Sequence, residues 1–126
     1  EFFQSKEGKI LINELSPRPH NSGHFSIEAC SISQFEQHIR AVSGLPVLPS
    51  KLIFNSVSFN VFASDSETRT GKIIEMLNQK NDTQIFRHNY FKKANRPGRK
   101  IGHVTVLDET VGAAEATANQ LLEQFI

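Results

Sequence analysis

Pro17 and Pro19, two residues apart and followed by Gly23, dictate where regular structure must stop. Each proline lacks an amide hydrogen and biases the residue before it towards extended backbone, so a helix cannot run through residues 16–19. The stretch that holds them, NELSPRPHNSGH (13–24), also carries an acid, an arginine, two histidines, two asparagines and two serines. Almost none of these side chains could help build a core. The chain must therefore fold as separate elements on either side of a stiff polar loop.

Before the loop, Phe2 and Phe3 begin an extended run, SKEG (5–8) has turn composition and KILINEL (9–15) resumes a strand pattern, which predicts a β-hairpin over residues 1–15. Pairing of residue 4 with 9 or 11, or any pairing whose numbers sum to an odd value, puts Glu1 and Glu14 on one face with Phe3, Ile10 and Ile12. A slip of one residue would part the two acids. After the loop, Ser33 and Glu36 form a capping-box pattern, Phe35, Ile39 and Val42 make an apolar helical stripe, and Gly44 and Pro46 end it. LPVLPS reads as a connector. Strands are predicted over 51–62, 83–91 and 100–107, and helices over 67–79 and 109–126. The closing helix should turn Val111, Ala114, Ala118, Leu121, Leu122 and Phe125 inwards. The half after residue 50 thus reads as a β-α-β-β-α unit with two helices on one face of a small sheet.

Composition narrows the function classes. A net charge of +1 argues against a general nucleic-acid or membrane binder, and no apolar run approaches the roughly 20 residues of a membrane helix. A single cysteine, Cys30, suits a reducing, cytoplasmic setting. The opening has neither an initiating methionine nor the pattern of a signal peptide and begins inside a strand, as expected of a piece of something longer.

Three groups of residues could carry chemistry. Glu1 and Glu14, with an amide oxygen from Asn13 or Asn21, are hard ligands suited to Mg²⁺ held with nucleotide phosphates, although acids on a solvated strand face give the same pattern. Arg18 offers a planar fork for a carboxylate, bicarbonate or phosphate, and His20 can donate a hydrogen bond or shuttle a proton. Asn21 and Ser22 favour local bonds to the backbone, and a purely structural loop would use these residues too. Zinc is a poor fit to His20 and His24, since the broken loop denies them a helical face and no thiol lies nearby. KKANRPGRK (92–100) concentrates Lys92, Lys93, Arg96, Arg99 and Lys100, enough donors to close around one phosphate, or simply a solvated hairpin loop.

Taken together, INELSPRPHNSGHFSIEACSISQFEQHIRAVSGLP and the later RPGRKIGHVTV closely resemble the 5-(carboxyamino)imidazole ribonucleotide synthase family of purine biosynthesis, ATP-grasp enzymes also called the ATPase subunit of phosphoribosylaminoimidazole carboxylase. The resemblance implies an α+β chain: residues 1–46 as the C-terminal portion of an ATP-grasp domain (antiparallel strands plus helix), then 47–126 as a small C-terminal β-α-β-β-α domain. It implies a ligase that uses ATP and Mg²⁺ to phosphorylate bicarbonate and carboxylate aminoimidazole ribonucleotide. Glu1 and Glu14 would bind the metal and Asn13 would lie beside the nucleotide phosphates. Arg18 and His20 would hold bicarbonate and carboxyphosphate. Asn21, Ser22, Lys92, Arg96, Arg99 and Lys100 would bind the ribonucleotide. The implied partners are the missing N-terminal part of the same enzyme, a second copy in a homodimer and the downstream mutase, with no nucleic acid and no membrane. The chain departs from the family at 55–71, where the family usually has a short MLNLLG-like strand, and at Phe91, where it usually has glycine. A non-catalytic phosphoribonucleotide-binding relic and another ATP-grasp ligase or transformylase are the alternatives.

Overall fold

A computed structural model describes residues 1–92 and 96–126. It contains β1 (Phe2–Gln4) and β2 (Ile10–Ile12), two short helices α1 (Ser26–Ala29) and α2 (Gln34–Val42), then β3 (Asn55–Phe62), α3 (Glu67–Leu77), β4 (Ile85–Asn89), β5 (Lys100–Asp108) and α4 (Val111–Phe125). Antiparallel pairing is used throughout: β1 with β2, and a second sheet in the order β3-β5-β4.

The central strand explains the architecture. β5 is buried on nearly every residue, so it needs cover on both faces. One face, with Val104 and Val106 beside Val57, Phe59 and Val61 of β3, packs against Ile73 and Leu77 of α3 and Ala114, Ala118 and Phe125 of α4. The Phe125 ring meets Phe59 at 5.9 Å, edge to face. The other face carries His103, Thr105 and Leu107, and is flanked by Ser56, Ser58 and Asn60 on β3 and Phe86 and His88 on β4. That face receives the segment that follows the proline loop.

Helix starts follow their caps. Ser33 accepts from the Glu36 amide at 3.2 Å, Ser66 from Arg69 at 3.3 Å and Thr110 from Ala113 at 3.2 Å. Glu36 turns its carboxylate to Arg40, at 2.8 Å, rather than back to the cap. The strand predicted from residue 51 begins at Asn55, because Ile53 and Phe54 give their amides to the Ala29 carbonyl and Leu52 bridges Cys30. Val111 lies exposed at the start of α4, not inward as its spacing implied. The Phe35, Ile39 and Val42 stripe of α2 is also uncovered, as are Phe2, Phe3, Ile10, Leu11 and Ile12 of the hairpin.

The hairpin register is a correction. Phe2 faces Ile12, Phe3 faces Leu11 and Gln4 faces Ile10, so the paired numbers sum to an even value. A strict ladder in this register would send Glu1 and Glu14 to opposite faces.

Gly102, where β4 approaches β5, has no room for a side chain. A Cβ there would press on the His88 carbonyl oxygen and lie 2.7 Å from Leu77 Cδ1. Gly102→Ala is expected to cost about 1–3 kcal/mol of stability, read from urea unfolding. An unchanged midpoint would show that β4 and α3 give way freely there.

Candidate active site

The two acids meet despite the register. Beyond the last regular pair, the amides of Asn13 and Glu14 both point at the Glu1 carbonyl, at 3.0 and 3.4 Å, and the Glu1 nitrogen donates to the Glu14 carbonyl at 2.9 Å. Two residues opposing one is the pattern of a β-bulge, which re-aims a side chain. One ligand atom each from Glu1, Glu14 and His20 then falls within 4.8 Å of the others. Asn13 donates its side-chain amide to Glu1 Oε1 at 2.7 Å.

His20 completes the group from the far side of the prolines. The Ser22 amide donates to its Nδ1 at 3.3 Å, with Ser22 Oγ 2.9 Å from the same atom. A peptide N–H can only donate, so the ring hydrogen sits on Nε2 and points at Glu14 Oε1, 2.7 Å away. An imidazole that holds a carboxylate in this way is a common support for a metal ligand. Two carboxylates with an amide alongside are hard donors that fit Mg²⁺ better than a softer metal.

Other residues fall less neatly. Arg18 is exposed, and its Nη1 donates to the adjacent Pro19 carbonyl at 3.1 Å; among the described residues it makes no ion pair with Glu1 or Glu14. Asn21 and Ser22 form a single 3₁₀ turn with Gly23 and line a cavity of about 280 Å³ together with Glu1, His24, Ser58, Asn60 and His103. In the basic loop, Lys92 lies 5.8 Å over the Tyr90 ring. Arg96 and Arg99 close a turn that is tied to Ala63 by two backbone bonds, Gly98 to the Ala63 carbonyl at 2.9 Å and Ala63 to the Arg99 carbonyl at 2.8 Å. Lys100 opens β5, and Lys93 lies outside the described residues.

Sequence reasoning missed a cluster that joins the loop to the sheet. The His24 ring stacks on His103 at 4.8 Å, and His103 stacks on His88 at 4.3 Å. Tyr90 Oη lies 2.9 Å from His103 Nδ1, and His88 Nε2 lies 2.7 Å from Glu28 Oε1. The one available signal was strand alternation: His88 and His103 sit opposite each other in the ladder, so their rings share a face. Gln34 was missed as well. It bonds both backbone groups of His20, each at 2.7 Å.

A profile of the ATP-grasp domain matches residues 1–35, and one of the phosphoribosylaminoimidazole carboxylase C-terminal domain matches residues 56–117. The N5-carboxyaminoimidazole ribonucleotide synthase of Brucella melitensis is 50% identical over 105 residues, covering 83% of this chain and 27% of that protein. The phosphoribosylaminoimidazole carboxylase of Candida albicans is 37% identical over 97% of this chain and 22% of its own length. Among solved structures, the N5-carboxyaminoimidazole ribonucleotide synthetase of Thermotoga maritima superposes with a TM-score of 0.77 at 38% identity, over 97% of this chain and 34% of that one. The Aspergillus clavatus N5-carboxyaminoimidazole synthase, in complex with ADP and 5-aminoimidazole ribonucleotide, gives 0.82 at 31%, over 98% and 33%.

The chain belongs to the N5-carboxyaminoimidazole ribonucleotide synthase family. It spans between a fifth and about a third of the length of these relatives and covers their C-terminal part. Phe91, where the resemblance leads us to expect glycine, takes a backbone conformation open to glycine. Its φ of 50° is the left-handed conformation that glycine adopts without strain, and Asn89 Oδ1 accepts from its amide at 2.8 Å. Phe91 is 79% exposed, so its ring projects into solvent.

His103 is 3% exposed, and burial, then the neighbouring His88 and His24, push its pKa down from 6.5 to about 3. His24 is lowered too, by burial first and then by His88, His20 and Lys100. Between pH 6.5 and about 3 the unfolded His103 ring binds a proton that the native ring refuses. Stability should therefore fall as pH drops through that window, by up to about 1.4 kcal/mol per pH unit for this group. His103→Gln should flatten the acid side of a plot of unfolding free energy against pH. Parallel curves for the two proteins would show that the imidazole is not held unprotonated.

Proposed function

We propose that this chain is the C-terminal part of an ATP-dependent ligase that carboxylates aminoimidazole ribonucleotide with bicarbonate. The observation that carries the reading is the meeting of Glu1, Glu14 and His20, which a bulge and a proline-stiffened loop bring within 4.8 Å beside the Asn21–Ser22 turn. In this reading residues 1–46 close the ATP-grasp domain, residues 47–126 form the small C-terminal domain, and the preceding portion of the same enzyme covers the apolar hairpin and α2. A homodimer, cytoplasmic residence and association with the downstream mutase belong to it. No described helix is long and apolar enough to cross a membrane.

Glu1 and Glu14 hold Mg²⁺, with Asn13 and His20 orienting their carboxylates. When bound, the cation draws off charge on the transferring phosphoryl group. Arg18 swings from the Pro19 carbonyl to hold bicarbonate and carboxyphosphate, and His20 lies within reach of the same oxyanions. Asn21 and Ser22 present the ribonucleotide from the cavity wall, while Lys92, Arg96, Arg99 and Lys100 bind its phosphate.

In the full-length enzyme, Glu14→Gln should remove most Mg²⁺-dependent turnover, by roughly 100-fold or more. A normal rate would take Glu14 out of the metal site. Arg99→Ala should raise the KM for aminoimidazole ribonucleotide far more than that for ATP, and an equal rise in both would argue against a substrate-phosphate role. Product assays with bicarbonate against formate distinguish the carboxylating ligase from a transformylase. The isolated 126-residue chain should show no ATPase activity.

A further inference from the structure

Gln34 is the first residue of α2, yet its side chain serves the loop and not the helix. Ser33 already caps α2, and Ser26 Oγ accepts the Gln34 amide at 2.9 Å. The side-chain Oε1 takes the His20 amide hydrogen at 2.7 Å. Its Nε2 gives one hydrogen to the His20 carbonyl at 2.7 Å and lies 2.9 Å from His24 Nδ1. The two His20 backbone groups fix which way the amide points, since one only donates and the other only accepts. His24 Nδ1 therefore faces an N–H and must accept, which leaves the ring hydrogen on Nε2. Gly23 keeps the space open, for a Cβ there would lie 2.7 Å from Gln34 Oε1.

The setting is passed on to the sheet. His24 lies on His103, His103 on His88, and His88 reaches Glu28, whose side chain is only 7% exposed. The loop, α1, α2, β4 and β5 are joined through this line of contacts, with the turn formed by Asn21 and Ser22 at one end.

We propose that Gln34 is a positioning residue for the substrate: by fixing the His20 backbone and the His24 tautomer, it seats the Asn21–Ser22 turn on the ring stack at the correct place in the cavity. It touches no reacting atom. The proposal rests on the ligase reading, in which that turn holds the ribonucleotide.

The test uses the full-length enzyme, labelled with ¹⁵N-histidine. In the wild type, nitrogen-detected NMR should report His24 with its hydrogen on Nε2. Gln34→Glu keeps the acceptor but removes both donors, so His24 should invert to the Nδ1–H form. Gln34→Leu should give a mixture of the two and raise the KM for aminoimidazole ribonucleotide roughly 10-fold to 100-fold, with the KM for ATP changed by less than about twofold. An unmoved tautomer in Gln34→Glu, or equal rises in both KM values, would overturn the proposal. The NMR measurement needs no turnover. Inversion in a protein without ligase activity would support the positioning geometry and sink the ligase reading, whereas an active enzyme with an unmoved tautomer would sink the positioning role alone.

Discussion

Burial of β5 on both faces is the constraint from which the rest follows. The central strand is covered on both sides, Val104 and Val106 on one and His103, Thr105 and Leu107 on the other, although an antiparallel strand with such a polar face could have been left half wet. The two helices supply one cover with ordinary apolar packing. The second cover comes from the segment after the proline loop, and it is polar: a histidine lies on a histidine, and a carboxylate closes the far end. Burying polar groups is costly unless they are hydrogen-bonded, and among the described residues Glu28 Oε2 and His103 Nε2 have no hydrogen-bond partner, so this face tolerates fewer positions than an oily one. The fold thereby gives the loop a fixed seat.

The proline loop uses that seat. Its backbone has little freedom, and it is held at both ends, by the bulged hairpin before it and by Ser26 and Gln34 after it. Stiffness alone would not bring His20 to Glu14. The combination of a rigid segment and two anchors does, at the small entropic cost of fixing side chains whose backbone is already ordered.

Much of this was legible in the residues. The capping-box pattern of Ser33 and Glu36, the helical windows 67–79 and 109–126 and the β-branched run of β5 encode their elements locally, and those elements lie close to where periodicity puts them. The register of the hairpin was not legible. With only three residues in each strand and apolar side chains on both faces, period-two reasoning has nothing to discriminate, and the irregular pairing at Glu1 then reverses its conclusion. Gln34 and the seating of His24 on the stack were invisible for a different reason. Their partners are separated by many residues and belong to different elements, so no local pattern marks them before the chain has folded.

The hairpin has one further consequence. β1 and β2 form a sheet of two strands, so each keeps an outer row of backbone donors and acceptors, and Phe2, Phe3, Ile10, Leu11 and Ile12 stand in solvent beside them. Such a ribbon is a template for strand addition. In the ligase reading, a strand or loop from the preceding portion of the same enzyme would complete this ladder and take the five apolar side chains out of water.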